Sequence, residues 1–274
     1  MRSAYPPYMA CNLYLSLHLD HRRVTMSDLF TIPLEIVRQE AVAPAACTAE
    51  EYAARAHYYR LLAGAFIEEP GRDYLAALRT PESLEALAEL GVTFDNDFID
   101  PTPDELQETL ACEYTVLFAS SGGFPPVESV RLKGGFQQDP CFAAREFYAK
   151  EGFSVGAGRF QVFDDQLGVE LQFIAALMDR IVIAMQRGDN QEQRRLEKSV
   201  KRFWAQHLGR WVRGYAALVE RAASHSFYRE TAMLLDAFAA FELELLGLDV
   251  TDEDQGRMEL PPLAGADEPM RCGA

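Results

Sequence analysis

Three polar clusters hold most of the residues whose types and spacing could do chemistry. The first is Glu113-Tyr114-Thr115-Val116-Leu117-Phe118, which runs into Gly122-Gly123-Phe124. The second is Pro126-Val127-Glu128-Ser129-Val130. The third is Asp164-Asp165-Gln166-Leu167-Gly168-Val169-Glu170-Leu171-Gln172-Phe173. Carboxylates, amides and hydroxyls of this kind can hold a ligand, and they can also do ordinary structural work. Asp164 or Asp165 suits a helix N-cap, where a carboxylate meets free backbone N–H groups and the positive end of the helix dipole. Glu128 can cap or brace its loop, and Glu170 can sit on a solvated helix face. Taken singly, each reads more readily as structure than as a site.

The patterns of several enzyme classes are missing. Leu132-Lys133-Gly134-Gly135 has the wrong order for a phosphate-binding P-loop. Gly156-Ala157-Gly158 lacks the third glycine and the preceding strand of a dinucleotide site. A di-iron bundle needs Glu-x-x-His twice, but the residues three before His57, His207 and His225 are Ala54, Trp204 and Ala222. No His-Glu-x-x-His occurs. The five cysteines, Cys11, Cys47, Cys112, Cys141 and Cys272, never form a C-x-x-C pair, which argues for reduced and mostly buried thiols. No metal and no cofactor is therefore expected. A nucleophilic pair such as Cys112 with His207 is the remaining catalytic arrangement. A cysteine beside an apolar helical stripe reads first as core, so a protein without enzymatic activity is the expectation.

The elements that must position these clusters are helical. Thr48-Ala49-Glu50-Glu51 has the form of a capping box, and Ala54, Tyr58, Leu61, Leu62, Ala65 and Phe66 follow at helical spacing until Pro70-Gly71. Short helices are expected at 72–79 and 81–90, the second with Thr80 as cap, Pro81 at N1 and Gly91 past its end. Thr102-Pro103-Asp104-Glu105 opens another, with Leu106, Leu110, Tyr114, Leu117 and Phe118 as its stripe. Ser120-Ser121-Gly122-Gly123-Phe124-Pro125-Pro126 breaks the pattern, and a long loop to about Asp139 is expected. A helix over 140–151, a glycine-containing loop over 153–163, and helices over 164–187, 190–222 and 226–246 complete the reading. Gly209 and Gly214 are candidate break points in the second of these three helices. Both long loops are expected to be mobile without a ligand. The pattern predicts an all-α fold: a single bundle-like domain of about seven to ten helices over residues 48–248.

Residues 249–274 are acidic and aperiodic and are expected to form a flexible tail. Residues 1–47 are expected to be disordered or extended, with Met26 as an alternative start. The apolar run Asn12–Leu19 carries its positive charges after it, at Arg22 and Arg23, unlike a secretory signal. No apolar run approaches the roughly 20 residues of a membrane span. With 274 residues, 49% of them hydrophobic, the chain can bury a sizeable core. Its net charge of −16 disfavours nucleic acid and anionic membranes and permits a neutral or cationic partner.

In order and spacing, the clusters resemble the TorD/DmsD/NarJ family of redox-enzyme maturation chaperones. Glu113 to Phe118, Pro126 to Arg131, Phe147-Tyr148 with Gly152, and Asp165 to Phe173 match four family motifs in sequence, and the resemblance covers roughly residues 50–246. Val127 and Arg131 stand where the family usually has tyrosine, and Gln166 where histidine is common. The resemblance implies a cytoplasmic chaperone of anaerobic respiration. It would bind the twin-arginine signal peptide and apo-form of a molybdopterin-dependent oxidoreductase, assist cofactor insertion and delay export. It implies carboxylates for the two guanidinium groups, from Asp165, Glu128 and Glu170 beside Gln166 and Ser129. It also implies an apolar groove lined by Tyr114, Phe118, Phe124 and Tyr148. Two other readings stay open: an assembly chaperone of the NarJ kind serving a membrane-bound nitrate reductase, and a helical hydrolase using Cys112 or Glu170. Monomer and homodimer are both compatible with the sequence.

Overall fold

The computed structural model describes residues 47–156 and 162–262, and within them every regular element is a helix. Eleven α-helices run in order: α1 Ala49–Phe66, α2 Arg72–Leu78, α3 Pro81–Glu89, α4 Asn96–Ile99, α5 Pro103–Tyr114, α6 Glu128–Lys133, α7 Asp139–Lys150, α8 Leu167–Gln186, α9 Asn190–Gln206, α10 Val212–Ala222 and α11 Ser226–Leu245. The all-α expectation holds. The short helices α4 and α6 are additions to it, because four and six residues carry too little periodicity to be recognised.

Local signals set most boundaries. The Thr80 hydroxyl accepts the Ser83 amide, with Pro81 at the first helical position. Thr102 and Glu105 complete a reciprocal capping box. The expected helix over 190–222 breaks at a 3₁₀ turn, Leu208–Arg210. Gly209 sits there with the Trp204 carbonyl where a Cβ would lie, so only glycine permits the approach. After Tyr114 the helix widens over Thr115–Ala119, and the Ser120 amide reaches back five residues to the Thr115 carbonyl.

Helix α8 is the axis of the bundle. Leu167, Leu171, Ile174, Met178 and Ile181 are fully buried along it. Helix α1 packs along α8, α9 follows it, and α10 pairs with α11. In α1 the buried face is Tyr52, Ala56, Tyr59, Ala63 and Phe66, turned from the expected stripe: Ala54 is exposed, and Tyr58 and Leu61 are half-buried. The cause is Arg55, a charged residue on the inner face. It forks onto Glu242 of α11 at 2.7 and 2.6 Å, Tyr59 donates to the same carboxylate at 2.8 Å, and Trp204 donates to the Tyr59 hydroxyl at 2.7 Å. One polar network thus ties α1, α9 and α11.

The first stretch expected as tail is fastened to the bundle. Arg131 of α6 and Asp254 are both fully buried and meet at 2.7 Å, the Arg131 guanidinium donates to the Arg257 carbonyl, and Arg210 pairs with Glu253. Residues 1–46 and 263–274 lie outside the described residues, as does the Met26 expectation.

Candidate functional site

The second and third polar clusters meet. The chain at Val127 runs antiparallel to the chain at Gln166: the Glu128 amide donates to the Asp165 carbonyl at 3.0 Å and the Leu167 amide to the Pro126 carbonyl at 2.8 Å. This crossing explains α6. Val127 at its N-cap position offers no oxygen, and the Asp165 carboxylate supplies one from across the bridge, accepting the Ser129 amide at 2.7 Å. Helix α8 begins later than the expected 164. Its N-cap is Gln166, whose side-chain oxygen accepts the Val169 amide while its amide group donates to the Phe66 carbonyl. Asp165 therefore caps α6 rather than α8.

Behind the crossing lies a sealed polar knot. Glu128, Ser129, Asp165 and Glu170 have no solvent exposure. Glu128 faces His207 across 2.7 Å, from carboxylate Oε2 to ring Nδ1, and Arg210 stands 3.6 Å from its other oxygen. The Glu170 carboxyl makes no well-formed hydrogen bond on either oxygen and faces the Glu128 carboxyl and the Trp211 indole N–H. Burial, and then the charges of Glu128 and Asp165, push it well above the usual carboxylate range. Glu170 is thus not on a solvated face.

Tyr148 closes the knot on the α7 side, donating to the Asp164 carbonyl at 2.7 Å. Arg145 pairs with Asp164 at 2.7 Å. The aromatic residues of the first cluster pack elsewhere. Phe118 is buried against Phe66, Tyr114 and Tyr228, Tyr114 donates to the Phe66 carbonyl, and the Phe124 carbonyl accepts from Tyr215. Asp165, Glu128, Glu170 and Ser129, expected to face a ligand, are interior in this structure. Gln166 is 5% exposed, and Tyr114, Phe118 and Phe124 do not line the groove described next. His207 is engaged by Glu128, whereas Cys112 lies exposed on α5, so the Cys112–His207 pair is not assembled.

The open feature is a groove of about 580 Å³ between the end of α1, α5, α7 and the start of α8. Tyr148 is the member of the expected set that lines it. Val169, Phe173 and Ala176 form one wall at helical spacing, Phe153 and Val155 another, and Glu68 and Glu69 bring carboxylates. Sequence reasoning missed these residues because α8 carries two apolar stripes. The Leu167–Leu171–Ile174 stripe faces the core, and the Val169–Phe173–Ala176 stripe, offset around the same helix, is the sequence signal for the groove. No described helix is long and apolar enough to cross a membrane.

Comparison with known proteins agrees with the resemblance. The family model described as nitrate reductase delta subunit matches residues 79–217. That span holds α6, the Asp164–Gln166 crossing, all of α8 and His207. No curated protein matches the chain. The match covers half the sequence, and the chain belongs to the nitrate reductase delta subunit family of molybdoenzyme assembly chaperones.

Proposed function

We propose that this protein is a cytoplasmic chaperone that binds the twin-arginine leader and apo-form of a molybdopterin-dependent oxidoreductase, assists cofactor insertion and delays export. The observation that carries the reading is the groove, with apolar walls from α8 and the Phe153–Val155 segment and two carboxylates at Glu68 and Glu69. A leader of that class has paired guanidinium groups followed by an apolar run. Carboxylates suit the forks and an apolar channel suits the run. Because Glu128, Asp165 and Glu170 are sealed from solvent, the guanidinium contacts are assigned to Glu68 and Glu69, with Tyr148 at the groove floor.

Fluorescence anisotropy with a labelled synthetic leader peptide tests this. The Glu68→Lys/Glu69→Lys double variant is expected to weaken binding about tenfold or more, roughly 1.4 kcal/mol. Replacing the arginine pair by lysines is expected to weaken it for the wild type, since lysine cannot fork. Unchanged affinity of the folded double variant would overturn the assignment. The family description names a nitrate reductase, and the second reading takes as client a nitrate reductase that is membrane-bound and not exported. A client N-terminal peptide without the arginine pair, bound as tightly as a twin-arginine leader, would select it.

A further inference from the structure

We infer that Glu128, Glu170 and His207 form a binding site for one divalent first-row cation, with zinc or manganese as the ions their donors suit. The three residues come from α6, α8 and the α9–3₁₀ junction, and all are buried. One ligand atom of each lies within 4.8 Å of those of the other two. A cation held about 2.1 Å from each donor brings the donors to within about 4.2 Å of one another, a small side-chain contraction.

The independent observation is that the buried carboxylate oxygens are poorly satisfied. Both Glu170 oxygens and Glu128 Oε1 are sealed from solvent and make no well-formed hydrogen bond, and the groups that face Glu170 are the Glu128 carboxyl and the Trp211 indole N–H. Buried polar atoms are almost always satisfied, so a cluster of orphans calls for a missing charge or donor. A divalent ion supplies it: two carboxylates and an uncharged imidazole around a double positive charge sum to zero.

The surroundings fit. Phe203 stacks on the His207 ring at 4.7 Å and Phe147 meets it edge-on, which fixes the imidazole and lowers the local dielectric. Asp165 is occupied by the Ser129 amide and stands as an outer carboxylate. Cys141 is not among the converging donors, and two carboxylates with an imidazole suit zinc or manganese rather than copper(I). Arg210, 27% exposed, stands 3.6 Å from Glu128 Oε1. The sequence conceals the site because its ligands follow no short-spaced motif.

Titration of the full-length chain, purified with chelator and then desalted, with zinc or manganese chloride in a calorimeter tests this without any peptide. The expected result is one ion per chain and a higher thermal midpoint. Both are lost in Glu170→Gln and in His207→Gln. X-ray absorption of the zinc-loaded wild type reads the site without a variant, and a shell of oxygen and imidazole ligands is expected. Absence of stoichiometric binding by the wild type overturns the inference. So does binding that persists in both folded variants, or a sulfur ligand near about 2.3 Å.

Discussion

Sealed from solvent and without a well-formed hydrogen bond, the Glu170 carboxyl is held above the ordinary carboxylate range by burial first and by Glu128 and Asp165 second. Its proton is bound more tightly in the folded chain than in the unfolded one. The stability it contributes is therefore fully present below the unfolded value near 4.5 and is lost as pH rises through the folded value. Glu170→Gln mimics the protonated form at every pH. In chelator, urea unfolding is expected to find the variant and wild type alike near the acid end. The variant should be more stable by about 1–3 kcal/mol at alkaline pH, the cost of a buried unsatisfied charge. A gap that does not change with pH would show that the Glu170 proton is not linked to folding.

At the scale of elements, the approach of α1 to α8 depends on one missing side chain. A Cβ on Gly168 would stand 2.6 Å from the Ile67 Cβ and 2.9 Å from the Ile67 amide nitrogen, just past the end of α1. Backbone cannot yield as a flexible side-chain tip can, so Gly168→Ala must push the two helices apart. A loss of about 1–3 kcal/mol in chemical denaturation is expected. Ile67 and Val169 both line the groove, so leader-peptide affinity should fall in the same variant. A drop in stability with unchanged affinity would detach the groove from the α1–α8 contact. The crossing of the Val127 and Gln166 segments is the other element-scale device, since it caps α6 with Asp165 and seals the polar knot.

Across the whole molecule, two features act at long range. The segment after α11 pins α6 through Arg131 and Asp254, and Asp252 accepts the Gly214 amide at α10. Asp254→Ala leaves a fully buried guanidinium without its carboxylate, and a loss of about 3–5 kcal/mol is expected by urea unfolding. Truncation after residue 250 should cost at least as much. A truncated chain of wild-type stability would mean that the segment docks without consequence. The second feature is the net charge of −16. A cationic leader should be steered toward this field, so its association rate in stopped-flow is expected to fall as salt rises, while dissociation changes little. An association rate independent of salt would leave apolar contact as the driving interaction.

The sequence by itself determined the helical class, most boundaries and the family. Caps such as Thr80 and Thr102 and stripes such as Leu167–Leu171–Ile174 are local. Their hydrogen bonds and spacing are complete within one turn or one helix, so they can be read along the chain. The tertiary structure alone decided which polar residues face solvent. Glu170 reads as a surface carboxylate and Asp165 as the cap of its own helix, because burial and cross-chain capping depend on residues far away in sequence. Arg55 turned the buried face of α1 for the same reason, since its partner Glu242 lies in the last helix. The six residues of α6 gave too short a period to read, and Asp254 gave no sign of its partner. Glu68 and Glu69 joined the groove only when α1, α5, α7 and α8 came together, since a concave surface is a property of several elements and of none singly.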